Sequence, residues 1–138
     1  MLDAERAGIN TERLRLIPWG VESKPVTPAD VEAVRAKYSL PQEFLLFVGT
    51  VEPRKNLRRL VDAMAVSNCA LPLVVAGSQG WGDTGVSATS SVHFIGFVAD
   101  SELPALYSSA AAFCYPSERE GFGMPVLEAM SYGTPVVT

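Results

Sequence analysis

The chain has 138 residues, 48% of them hydrophobic, enough to bury one core and too few for a second independent one. Its net charge of −4 contains no block of like charges, which argues against a nucleic-acid or anionic-membrane partner. No apolar run approaches the ~18 residues that span a bilayer, and the start MLDAERAGIN lacks the charged and apolar regions of a signal peptide. A cytoplasmic location is therefore expected, with membrane association left open for the whole protein.

In chain order, LRLIPWGV (Leu14–Val21) is strand-like but is separated from the later strands by Pro25, Pro28 and a helix expected over Pro28–Lys37, capped by Thr27. Short apolar runs occur at Phe44–Thr50, Leu71–Gly77, Val92–Phe97, Ala111–Pro116 and Thr134–Thr138, apolar on both faces as strands of a parallel sheet are. Helices are expected between them near Asn56–Val66, Asp100–Ser109 and Pro125–Tyr132. The series is βαβ, with helices on both faces of the sheet. The stretch Gly77–Ser91 is rich in Gly, Ser and Thr and reads as a loop at a strand's C-terminal end, the side on which open α/β sheets bind ligands. Trp81 within it reads as an anchor of that loop in preference to a ligand flank. Residues 1–24 read as a remnant of a preceding domain or crossover, and residues 25–138 as one Rossmann-like domain that stops without a closing helix. Cys69 and Cys114 lie in apolar contexts without CxxC spacing and read as reduced, buried thiols.

The segment YPSEREGFGMPVLEAMSYGTPV (Tyr115–Val136) carries the most chemistry. Gly121 and Gly123 disfavour helix and Pro125 suits a first helical position, which leaves Glu120 in a loop and Glu128 about one turn inside a helix. Unpaired backbone N–H groups at such a helix mouth accept an anion, and the glycines let it approach closely. Glutamates near a helix start are also favoured by the macrodipole, at roughly 0.3–1 kcal/mol each, so this segment alone does not separate a binding site from a structural turn. Arg54 and Lys55, in the turn GTVEPRKN (Gly49–Asn56), sit at the positive end of the next helix, where cations are disfavoured. Their placement makes sense if they face an anion. The sequence holds no Asp-x-Asp pair and no His/Cys/carboxylate cluster with metal-ligand spacing, and its one histidine, His93, lies in a strand and reads as structural.

The ordered set of an IPxGV run (Ile17–Val21), a GTxEPRKN turn, a VVAG loop, VHFIGFVADSELPALYSSA and the E-x7-E motif Glu120-GFGMPVL-Glu128 resembles the donor-binding, C-terminal half of a retaining glycosyltransferase of the family 4 (group 1) type. The resemblance runs from about Leu14 to Thr138 and implies the two-domain GT-B fold. It implies that Glu120 contacts the hydroxyls of a donor sugar and that Glu128 holds the ribose. It also implies that backbone N–H groups around Gly121, Phe122, Gly123 and Met124 hold the distal phosphate. Lys55 matches the phosphate-binding lysine and Arg54 supports it, so Glu120, Lys55 and Arg54 form the catalytic group, with neither glutamate a general base. Many members carry arginine after the first strand's glycine, whereas Thr50 follows Gly49 here, leaving more of the diphosphate charge to Lys55 and Arg54. The base is placed near Gly77 and Ser78 and on the backbone of Phe97 and Val98.

The implied reaction moves a sugar from a nucleotide sugar, GDP-mannose in preference to a UDP-sugar, to a saccharide or lipid-linked saccharide, with retention and with no cofactor and no metal. Acceptor contacts come from the N-terminal domain in that family. A sugar-nucleotide epimerase or sugar-phosphate synthase of the same fold, or a non-catalytic nucleotide-sugar-binding domain, is the alternative. A response regulator or dehydrogenase half fits poorly, because no GxGxxG follows a first strand and no acidic phosphoacceptor cluster is visible.

Overall fold

The computed structural model describes residues 6–10, 12, 14–15 and 17–138. Its centre is a five-stranded parallel sheet of β1 (Leu45–Val48), β2 (Leu73–Ala76), β3 (Val92–Gly96), β4 (Ala112–Cys114) and β5 (Val136–Val137), in the order β3-β2-β1-β4-β5. Leu45 pairs with Leu73 on one side and Ala112 on the other, and Phe113 pairs with Val136. This is the Rossmann-like arrangement expected of one half of a GT-B glycosyltransferase. Helix α1 (Pro28–Lys37) precedes β1, and α2 (Leu57–Val66), α3 (Leu103–Ser109) and α4 (Met124–Ser131) connect later strands.

Successive strand residues point to opposite faces, so β1, β2 and β3 each feed two cores. Leu46, Val74 and Phe113 pack with Val34 of α1, Leu106 of α3 and Ala129 of α4 on one face. Phe47, Leu73, Val75 and Val92 pack with Leu57 of α2 on the other. The double-sided burial explains why the strands read as unbroken apolar runs. Helix α1 begins where the sequence places it, because Thr27 and Asp30 form a reciprocal capping box: Asp30 N donates to Thr27 Oγ1 at 3.2 Å and Thr27 N to Asp30 Oδ2 at 2.8 Å.

Several expectations change. None of the described residues of the run 14–21 forms a strand, and Leu16 lies outside the described residues. Cys69 is exposed, because it follows the end of α2 in a turn with Asn68 at φ 51° and meets no core; Cys114 is buried in β4. Burial pushes the Cys114 thiol up to about 11, so little of it is thiolate at neutral pH. Trp81 is 65% exposed and is no buried anchor for its loop. Its loop is pinned by backbone instead, with Gly80 N donating to Val51 O at 3.0 Å and the Arg58 guanidinium to Gly85 O at 3.1 Å. Helix α3 starts at Leu103 and not at Asp100, after a turn in which Glu102 N donates to Ala99 O at 2.8 Å. His93 keeps a structural place in β3, its Nε2 lying 3.2 Å from Ser90 O. Among the described residues, no helix is long and apolar enough to cross a membrane.

Strand β1 has β2 on one side and β4 on the other, so the loops that leave β1 and β4 diverge at the point where the strand order reverses. In an open α/β sheet the ligand crevice opens there, beyond the carboxyl ends of the strands. The two loops are GTVEPRKN and YPSEREGFG.

Candidate functional site

The loop after β1 folds into a 3-10 turn, Pro53–Lys55, that ends on Asn56 in the left-handed conformation at φ 56°. The loop after β4 runs to Gly123, whose φ of +84° turns the chain into α4. Met124 is therefore the first helical residue, and Pro125 stands second instead of first. Neither α2 nor α4 has a side-chain cap, so the N–H groups at both helix mouths remain free of side-chain acceptors.

The two loops are sewn together. Glu118 N donates to Arg54 O at 3.0 Å, Asn56 Nδ2 to Pro116 O at 3.2 Å and an Arg54 guanidinium N–H to Arg119 O at 3.1 Å. The charged groups then close the junction. Lys55 is buried, and its ammonium meets Glu120 Oε1 at 2.7 Å while lying 5.3 Å from the centre of the Tyr115 ring. Arg54 reaches Glu120 Oε2 at 3.2 Å and, through Nε, the buried Glu52 at 2.6 Å. Burial by itself would raise the Glu120 carboxyl; the Lys55 ammonium, together with the nearby Ser117 hydroxyl and the Arg54 guanidinium, outweighs it and holds the group at about 2. Burial and the Glu120 charge push the Tyr115 phenol up to about 12.

The anion that Arg54 and Lys55 face in this structure is thus the chain's own Glu120. Glu118 and Arg119, in the same loop, are exposed.

Glu128 lies in the second turn of α4 in a different setting. Its Oε2 accepts from the Tyr107 hydroxyl at 3.0 Å, and among the described residues it has no ion-pair partner. It lines a cavity of about 340 Å³ with Tyr107, Asp100, Leu103 and Met124. Met124 also walls a second cavity, of about 490 Å³, that holds Lys55, Glu120, Gly121, Phe122 and Gly123. Asp100 and Leu103 are shared with a third, of about 320 Å³, lined by Gly49, Thr50, Gly77, Ser78, Phe97 and Val98. The three form a series along the carboxyl edge of the sheet.

Every expected site residue except Arg54 lines one of these three cavities. Arg54 borders the same junction from a neighbouring depression with Glu120 and Gly121. The third cavity is built by close backbone approach. Gly49 N donates to Ala76 O at 2.9 Å and Gly77 N to Gly96 O at 2.7 Å, and a Cβ at Gly77 would collide with the Gly49 carbonyl. Val98 is buried in the core, so only its backbone is offered, whereas Phe97 is 72% exposed. Among the described residues no group of three or more His, Cys, Asp or Glu is placed to hold a metal ion.

Sequence reasoning misses Glu52, Tyr107, Asp100 and Trp19. The Trp19 ring lies 6.2 Å from that of Phe122. Glu52 is visible as the carboxylate two residues before Arg54; nothing in LPALYSSA distinguishes Tyr107 from a packing residue.

The model of the family "Glycosyl transferases group 1" matches residues 30–138. The chain is 41% identical over 125 residues to "O-antigen chain mannosyltransferase B" of Escherichia coli, covering 82% of this chain and 33% of that protein. Among solved structures, sucrose-phosphate synthase of Thermosynechococcus elongatus is 32% identical, with a TM-score of 0.68 over 88% of this chain and 34% of that one. HepE of Anabaena, in complex with UDP, matches with a TM-score of 0.76 at 23% identity over 97% of this chain and 40% of that one, a likeness of fold. The chain spans about a third of the length of the mannosyltransferase.

Proposed function

Because the chain belongs to the glycosyl transferases group 1 family, we propose that it supplies the donor-binding part of a retaining hexosyltransferase, with GDP-mannose the favoured donor and a UDP-sugar the alternative. The observation that carries this reading is that Lys55 and Glu120 stand in one cavity, with Arg54 bordering it through Glu120, and Glu128 in the next, with Met124 as the shared wall. A nucleoside diphosphate sugar needs that order: a hydroxyl acceptor at the ribose, cations at the diphosphate and a second hydroxyl acceptor at the sugar. The base then falls by Gly77, Ser78 and the Phe97–Val98 backbone. The mannosyltransferase relative supports mannose as the sugar.

On donor binding, the diphosphate draws Lys55 and Arg54 away from Glu120, and the released carboxylate accepts from the sugar. The cations and the free N–H groups at the mouth of α4 stabilise the charge that develops on the leaving diphosphate more than they stabilise the ground state. They do so without a divalent metal. Neither glutamate acts as a general base. Acceptor contacts, to a saccharide or lipid-linked saccharide, come from outside these residues; residues 1–24 belong to the crossover toward that part, and residues 1–138 alone bind donor without transferring it.

Titration of the whole protein with GDP, UDP and ADP, followed by donor turnover and determination of the anomeric configuration of the product, tests the reading. Failure to bind any of the three would end it. The likeness to sucrose-phosphate synthase favours a second reading, a sugar-phosphate synthase. Transfer to a sugar phosphate but not to a saccharide or lipid-linked acceptor would establish that one.

A further inference from the structure

Glu120 has two cations, whereas Glu128 has a phenol. Tyr107 stands in α3 with 1% of its surface exposed, and its hydroxyl donates to Glu128 Oε2 at 3.0 Å. Its ring packs edge-on against Phe113, centroids 5.4 Å apart at 88°, and parallel to Tyr132, 6.2 Å apart at 8°. Its backbone carbonyl accepts from the buried Thr134 hydroxyl at 2.8 Å, which ties α3 to the turn before β5. The ring is therefore held by β4 and by the turn that joins α4 to β5, and the backbone at Tyr107 by the same turn.

A surface carboxylate on a helix samples several rotamers, and ordering it costs entropy at the moment a ligand binds. Here one oxygen is already held, and the other is left to the cavity lined by Asp100, Met124 and Glu128. Without an ion-pair partner among the described residues, although Lys24 lines the same cavity, this carboxylate keeps acceptor capacity for neutral donors, of which a vicinal diol presents two. We infer that Tyr107 is a positioning residue that presets Glu128 to read the 2′- and 3′-hydroxyls of a ribose and so makes the site selective for ribonucleotides. The inference rests on the nucleotide-sugar reading of the site. Burial, reinforced by the Glu128 charge, pushes the Tyr107 phenol well above its ordinary range, so it remains a donor throughout the working pH range.

The test is Tyr107→Phe in the whole protein, which keeps the ring and its packing and removes only the hydroxyl. Calorimetric titration with GDP and with 2′,3′-dideoxy-GDP, or with the uridine pair if UDP is the nucleotide bound, gives a ribose preference for each protein. The wild type is expected to prefer the ribonucleotide by about ten-fold or more, the scale of hydrogen bonds to a charged group. Tyr107→Phe should cut that preference to about three-fold or less by weakening GDP alone, and should change nothing further in a Glu128→Ala background. Both ligands are titrated into the same folded material, so a lower folded fraction leaves the ratio unchanged. A Tyr107→Phe variant with the wild-type ratio would show that Tyr107 only packs, and the inference would fall while the function stood. A wild type that binds GDP but ignores the ribose hydroxyls would likewise overturn it. A wild type that binds neither nucleotide would remove the functional reading itself, and the inference with it.

Discussion

Glu120 and Glu128 stand eight positions apart in one motif, yet the fold places them in opposite electrostatic settings. Glu120 lies in a loop, pulled down to about 2 by a buried lysine and an arginine, and it joins two loops at the reversal of strand order. Glu128 lies inside α4 without an ion-pair partner among the described residues, held by one phenol fixed in the core. The first region is an ionic clamp of two cations and two carboxylates, neutral in sum and able to exchange partners. The second is a preset carboxylate acceptor without an ion-pair partner among the described residues. A ligand with a charged end and a neutral diol meets both without competition between them, because each end finds only the type of partner it needs.

Substitutions that act on one region alone separate the two. The largest effect is expected from Lys55→Met, which removes the buried ammonium: transfer by the whole protein should fall by about 10²–10³, as for other groups that stabilise developing charge. Activity within three-fold of wild type would mean that Lys55 is structural. Glu128→Ala should weaken GDP by about ten- to thirty-fold while costing only about 1 kcal/mol of stability, from the phenol left unpaired. Parallel titration and denaturant melts read the two quantities apart.

Glu120→Gln should act in opposite directions on product and donor. GDP should bind about two- to five-fold tighter, because Lys55 no longer has an internal anion to give up, while donor turnover falls. Weaker GDP binding in this variant would show that Glu120 helps the cations instead of competing for them.

A separate effect is on stability in acid. The Glu120 carboxyl is held at about 2 in the folded chain, against an ordinary value of 4.5. Its contribution is therefore present above about pH 4.5 and is lost as pH falls toward about 2. The urea midpoint of wild type should drop between pH 5 and 3 by more than that of Glu120→Gln; equal drops would place the proton elsewhere.

Much of this arrangement is legible in the residues. The central strands stand out because they feed two cores, and α1 because Thr27 and Asp30 cap it in a pattern fixed by local geometry. Arg54 and Lys55 stand out because cations at a helix start need an anion; that the anion is Glu120 is a tertiary fact. Strand order is not written in any single run, so the junction of the two loops emerges only once β1 lies between β2 and β4. Trp81 and Cys69 mislead because hydrophobicity says that a side chain prefers burial, not that the fold has room for it. Tyr107 is hidden for the converse reason: in LPALYSSA its ring looks like any packing residue, and its hydroxyl acquires meaning only when α4 brings Glu128 within 3.0 Å.

The division of labour itself is tested most directly by titrating Lys55→Met and Glu128→Ala with GDP and with guanosine, or with UDP and uridine if that base is preferred. Lys55→Met should cost at least ten-fold for the diphosphate and nothing for the nucleoside, whereas Glu128→Ala should cost the same factor for both. A Lys55→Met loss that persists with the nucleoside, or a Glu128→Ala loss confined to the diphosphate, would show that the two glutamates do not divide the ligand in this way.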